Sequence, residues 1–236
     1  MSDSGRSATD DAGARPTQEP VRIQSGDATL EGDLTLPEGG AGLVLFAHGS
    51  GSSRFSTQDR FLAGELHRVG LGTLLVDLLT PDEAVFDART HELRFDIPLL
   101  ARRLVDTLSW LATGPRTRDR AKGIFGADTG AAAALIATAA LPGAVQAVVS
   151  RGGRPDLAGN TLRIIQTPTL LLVGARDREV LALNERARGV MTAQSGLIVV
   201  PGANHHFPEP GALEQVAEAA SAFFGRHLHA GELSAR

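Results

Sequence analysis

The 236-residue chain has no cysteine and no tyrosine, one tryptophan (Trp110) and one lysine (Lys122). Without cysteine there can be no disulfide, thiolate metal site, iron–sulfur cluster or cysteine nucleophile. A lone lysine leaves little room for Schiff-base chemistry. Long hydrophobic runs are missing as well. The longest, such as Leu43–Ala47 and Ala131–Ala137, fall far short of the ~20 apolar residues of a membrane-spanning helix. There is no excess of positive charge: the formal net charge is −4, which offers no basic surface to nucleic acid or to an anionic membrane. Neither a GxGxxG fingerprint nor a phosphate-binding glycine loop occurs. The expectation is therefore no cofactor, no metal, no nucleic-acid or membrane partner, and a small molecule as substrate, with the oligomeric state left open.

What is present is ordinary globular material, 42% hydrophobic and 21% charged, enough for one domain with a real core. Residues 1–20 are mostly small and polar and predict a disordered tail with no secretory apolar stretch, hence a cytoplasmic protein. The domain is expected over residues 21–228, with a short tail at 229–236. Two runs around Ser25-Gly26-Asp27 read as a hairpin. Apolar runs at Leu43–His48, Thr73–Leu78, Lys122–Ala127, Val145–Ser150, Thr169–Gly174 and Leu197–Val200 read as strands covered on both faces, because they do not alternate with polar residues. Between and after them, Thr57–Val69, Ile97–Ala112, Thr129–Ala139, Val180–Ala193 and Pro210–His227 read as helices. Pro98 falls in a first turn, where its missing N–H costs nothing. This alternation predicts an α/β fold: about eight mostly parallel strands with helices on both faces.

Ligands of such sheets bind beyond the carboxyl ends of the strands, and several of those ends carry chemistry. After the first central strand comes His48-Gly49-Ser50-Gly51-Ser52-Ser53-Arg54, small residues whose backbone N–H groups can face a ligand oxygen. After the third comes Gly126-Ala127-Asp128-Thr129-Gly130, whose small-x-Asp-x-small spacing permits a tight strand-to-helix turn that thrusts Asp128 outward. The plainer alternative is that Asp128 N-caps the following helix. Two later strands end in Gly174-Ala175-Arg176-Asp177 and Gly202-Ala203-Asn204-His205-His206. Asp128, Asp177 and His205 thus follow the chain order nucleophile, acid, histidine of the α/β-hydrolases. His206 is second to His205. His67, His91, His227 and His229 lie in polar or terminal stretches without metal-ligand spacing.

The segments LVLFAHGSGSSR, LLVDLLTPDE, RFDIPLLARRL, GIFGADTGAAAAL, VVSRGGRPDLAG, TPTLLLVGARDREVLALN and VVPGANHHFPEPGALEQVA resemble the small α/β-hydrolases of the dienelactone-hydrolase type, which have no cap domain. The resemblance runs from Val21 to His227. It implies a triad of residue 128, Asp177 and His205, with the amides of Ser50 and Thr129 as the oxyanion hole. The departure is at the nucleophile, where the family has serine or cysteine and this chain has Asp128.

A carboxylate is already ionised at neutral pH and needs no base to attack. On an ester it would give a mixed anhydride and expel a poor leaving group. On a saturated carbon bearing a leaving group, or on a strained ring, it would give an ester of Asp128 that water activated by His205 and Asp177 could hydrolyse. Known hydrolases with aspartate here differ in detail. Epoxide hydrolases use tyrosines to protonate the ring oxygen, and haloalkane dehalogenases carry a tryptophan after the nucleophile, where this chain has Thr129. Two alternatives remain: Asp128 as a general base, or a silent fold that only binds a ligand or partner. His48, Arg54 and Arg151 are the candidate substrate-binding residues, the arginines because their planar fork suits a carboxylate. Solvent-exposed arginine is the plainer reading of both. Trp110 is expected in the core.

Overall fold

The structure is a computed structural model that describes residues 17–40, 42–49 and 51–228. Two strands, β1 (Thr17–Ser25) and β2 (Ala28–Leu36), form the expected hairpin, turning at Gly26 with φ +56°. β1 takes in the last four residues of the expected tail, Thr17 to Pro20. Pairing decides that boundary: Thr17 to Pro20 lie opposite Leu36 to Asp33, and backbone pairing needs no apolar side chains there.

The remaining strands are β3 (Gly42–Ala47), β4 (Gly72–Val76), β5 (Ala121–Ala127), β6 (Ala147–Arg151), β7 (Thr169–Gly174) and β8 (Ser195–Val200). The sheet order is β1-β2-β4-β3-β5-β6-β7-β8, with β1/β2 and β2/β4 antiparallel and every other pair parallel. β3, β4 and β7 are buried along their whole length, as expected of strands covered on both sides.

On one face lie α3 (Ile97–Thr113) and α4 (Thr129–Ala140), which pack Leu100, Leu104, Leu108 and the alanines of α4 onto the sheet. Trp110 packs against this core. On the other face α1 (Thr57–Arg68) and α6 (Ala212–Leu228) contribute Leu62, Leu66, Val216, Phe223 and Phe224. The helix α5 (Arg178–Val190) begins at its Asp177 cap, so it starts and stops slightly earlier than expected.

One helix was not anticipated, α2 (Pro81–Thr90), followed by a 3-10 turn, Leu93–Phe95. It has a capping box between Thr80 and Glu83 and a proline in its first turn, but buries only Asp87 among its own residues. Its anchors are polar. Glu83 receives the fork of Arg103 at 2.6 and 2.7 Å, and Asp87 receives Arg94 at 2.7 Å. A second 3-10 segment, Pro155–Arg163, connects β6 to β7. Among the described residues no helix is long and apolar enough to cross a membrane.

Candidate active site

At the end of β5 the chain turns through Asp128 at φ 48°, ψ −122° and enters α4 directly. That conformation is costly for a residue with a Cβ and is found mainly where the surroundings impose it. The neighbours that impose it are glycines. A Cβ on Gly126 would lie 2.5 Å from Ala131 Cα, and one on Gly130 would lie 2.4 Å from the carbonyl oxygens of Ala47 and His48. The main chain of Asp128 is also pinned, its carbonyl accepting from the N–H groups of Ala131 (3.2 Å) and Arg154 (3.1 Å). The Asp128 side chain makes no capping bond to α4, so the helix-cap alternative fails. The turn projects the carboxylate beyond the sheet instead.

The acid and the histidine come together as the chain order predicts. Asp177 caps α5, its Oδ1 accepting from the Val180 N–H at 3.3 Å. Its Oδ2 lies 2.7 Å from His205 Nδ1. An ionised carboxylate can only accept, so Nδ1 carries the proton and Nε2 presents a lone pair. Gly152 packs against this histidine; a Cβ there would meet its carbonyl at 3.1 Å and its ring at 3.5 Å. The ring of His206 stands edge-on to that of His205, with centroids 4.7 Å apart. Asp128 and His205 line one cavity of about 350 Å³ together with His91, Arg94, Phe95 and Arg154.

The expected oxyanion donors divide. Thr129 is buried at the first position of α4. Ser50 lies outside the described residues. The expected substrate cations need correction. Arg151 is partly buried, its guanidinium bonded to Gln58 Oε1 at 3.0 Å and 3.5 Å from Asp59, and it lines neither cavity beside the elbow. Burial lowers its pKa, with Asp59 acting in the opposite sense. Arg54 lines a neighbouring cavity but spends its fork on Asp77 and Glu31. Burial opposes its charge, yet those two carboxylates together hold its pKa above the ordinary value. His48 also lines that cavity, with its Nδ1 2.9 Å from Asp59 Oδ2. Neither arginine is solvent-exposed, so the plainer reading fails too. Their acidic partners lie on other segments of the chain.

The cations that share the cavity with Asp128 are Arg94 and Arg154. Arg154 is paired with Asp156 at 2.8–2.9 Å, and that pair raises its pKa despite desolvation, with smaller help from Asp128 and Glu179. His91, expected to be inert, also lines the cavity from the left-handed cap of α2. Among the described residues no group of three or more His, Asp or Glu is placed to hold a metal ion.

No protein-family model matches this chain. A crystal structure of dienelactone hydrolase from Anabaena variabilis is 50% identical, covers 90% of this chain and 99% of its own, and superposes with a TM-score of 0.89. Est1E from Butyrivibrio proteoclasticus shares the fold at 14% identity, with a TM-score of 0.75 over 89% of this chain and 99% of that one. Two Mycobacterium tuberculosis proteins named "Putative phosphoribosyl transferase" are 52% identical over 220 residues, 92% of this chain but 49% of theirs. The chain thus spans about half the length of the curated relatives it matches. Half-identity over nearly the whole of a solved relative on which the chain superposes closely identifies it as a member of the dienelactone-hydrolase-like α/β-hydrolases.

Proposed function

We propose that this chain hydrolyses a small organic substrate with Asp128 as covalent nucleophile and His205, held by Asp177, as the base that activates water. One observation carries the reading: Asp128 stands on a strained strand-to-helix turn without capping the helix, in one cavity with a histidine whose Nδ1 is held by Asp177. In the first step an Asp128 oxygen bonds to a saturated carbon as the bond from that carbon to the leaving group breaks, the leaving group taking the electron pair. In the second, His205 Nε2 takes a proton from water and the oxygen attacks Cγ of the Asp128 ester. In this reading the amide of Thr129 stabilises the oxyanion. The intermediate collapses, the alcohol leaves with the proton from His205, and the Asp128 carboxylic acid so formed releases its remaining proton to solvent, which restores the carboxylate.

Arg94 and Arg154 add positive charge to the cavity wall, each with its fork turned to a neighbouring carboxylate, Asp87 or Asp156. The transferase name of the mycobacterial relatives belongs to chains about twice as long, and the hydrolase reading concerns the half matched here. The cytoplasmic location belongs to the same reading and is independent of the chemistry.

The test is intact mass spectrometry of His205→Gln after incubation with a panel of haloacids, lactones and epoxides. With an ionised nucleophile the histidine is needed only for the second step. The variant is expected to accumulate an adduct on Asp128 heavier by the alkyl fragment. Turnover by the parent with no adduct in His205→Gln would favour Asp128 as a general base. Neither turnover nor adduct across the panel would favour a silent binding fold.

A further inference from the structure

The apolar face of α2 borders a cavity instead of the core. Pro81, Ala84 and Ala88, three and four residues apart, share one side of the helix. All three are exposed, yet all three line a cavity of about 410 Å³ beside the elbow. Leu79 and Leu100 line it too. Phe55, in the loop before α1, adds a ring that is 60% exposed. Arg54 lies 4.4 Å and Arg60 5.2 Å from the centroid of that ring. Two cations over one ring hold a phenyl group that the core does not.

The charged groups around the cavity are spent on one another. Arg54 engages Asp77 and Glu31, and Arg94 engages Asp87 at 2.7 Å. What is left for a ligand is chiefly the apolar wall, and a concavity that is mainly apolar with a few fixed polar groups is the usual form of a small-molecule site. The cavity also adjoins the proposed nucleophile. Thr129, next to Asp128 in the chain, lines it, and so does Gly49, where a Cβ would lie 3.3 Å from Asp128 Cβ. Arg94 is shared with the cavity of Asp128 and His205.

We infer that this cavity holds an uncharged apolar arm of the substrate, the size of a two-ring aromatic system, while the electrophilic carbon of the same molecule lies at Asp128. The second clause rests on the hydrolytic reading; the first does not. The size follows from the volume. An apolar cavity of about 150 Å³ accommodates benzene, so about 410 Å³ takes roughly two such rings. Phe55, Ala84 and Ala88 are thereby specificity-determining residues. The small alanines leave the room that the arm fills, and covering their exposed methyl groups favours its binding.

The test is isothermal titration calorimetry of the intact protein with two uncharged probes, benzyl alcohol and naphthylmethanol. The larger probe is expected to bind saturably and about tenfold tighter, because its second ring buries further apolar surface. Ala84→Trp and Ala88→Trp put an indole into the cavity and should weaken naphthylmethanol by about tenfold. Val85→Trp, on the same helix but lining neither cavity, should leave its affinity unchanged. Both alanines are exposed, so folding does not depend on them, and the comparison of probes in the parent needs no variant. No saturable binding of naphthylmethanol up to its solubility, equal affinity for the two probes, or the same result for Val85→Trp as for the alanine variants overturns the inference. The link to Asp128 is read in His205→Gln, where Ala84→Trp should slow adduct formation by naphthyl oxirane and not by propylene oxide. Equal slowing of both overturns that link. Binding of naphthylmethanol with no adduct from either epoxide refutes the hydrolytic reading and leaves the cavity assignment standing, so the two failures are distinguishable.

Discussion

Replacing Asp128 by glycine and, separately, by alanine isolates the strain in the elbow. Both changes remove the carboxylate and its interactions, so comparing the two variants cancels those losses. They differ in Cβ alone. At φ 48°, ψ −122° a Cβ residue pays about 1–3 kcal/mol that glycine does not. Glycine in turn loses about 0.5–1 kcal/mol more chain entropy on folding than alanine. Taking the middle of each range leaves roughly 1 kcal/mol in favour of glycine. For a domain of this size that is a difference in Tm of about 2–4 °C. Thermal unfolding followed by circular dichroism reads it directly. The order is the reverse of that at a helix interior or an ordinary turn with negative φ, so its sign is diagnostic. If Asp128→Gly melts at or below Asp128→Ala, the backbone at this position is not strained and the elbow geometry is wrong.

Asp128→Ser is expected to gain turnover of activated esters, because on the proposed reading Asp177, His205 and the amide of Thr129 supply the remaining parts of a serine triad. A folded variant with no p-nitrophenyl ester hydrolysis above the parent would refute that assignment. Acid stability provides a further check. Glu83, through the Arg103 fork, and Asp59 and Asp87, where partner bonds outweigh burial, all titrate below their ordinary values of 4.5 and 3.8. As pH falls through and below about 4.5 the unfolded chain takes up protons before the folded one, so stability should fall with pH. Urea melts from neutral pH down to about 3 should show this slope, and Glu83→Gln should flatten it while lowering stability at neutral pH. An unchanged slope would remove Glu83 from the acid transition.

The strands were legible because β3 and β7 are apolar end to end, a pattern set by burial on both faces. Asp128, Asp177 and His205 were legible for a related reason: each follows a strand closely, so the topology fixes where it goes. The helix α2 was not, because its stability resides in Glu83–Arg103 and Asp87–Arg94 pairs and not in an apolar stripe. With α2 unread, His91, Arg94 and Phe95 had no assigned position, and they form part of the cavity wall. The roles of Arg54 and Arg151 failed because charge says nothing of partners. Asp77 lies 23 residues from Arg54, and Asp59 meets Arg151 only once α1 has packed onto the sheet. The apolar wall of Pro81, Ala84 and Ala88 went unread with α2, because residues so spaced share a face only on a helix.

The fate of the oxygen from water decides between Asp128 as nucleophile and Asp128 as base. The parent protein, in excess over a substrate from the panel that it turns over, is taken through a single turnover in ¹⁸O-water, digested, and the peptide containing Asp128 weighed. If Asp128 forms the ester, water attacks its Cγ, so the heavy oxygen appears in that peptide and the first product carries an oxygen that Asp128 held before. Label found only in the product of the first turnover, with the Asp128 peptide unchanged, would contradict the covalent mechanism.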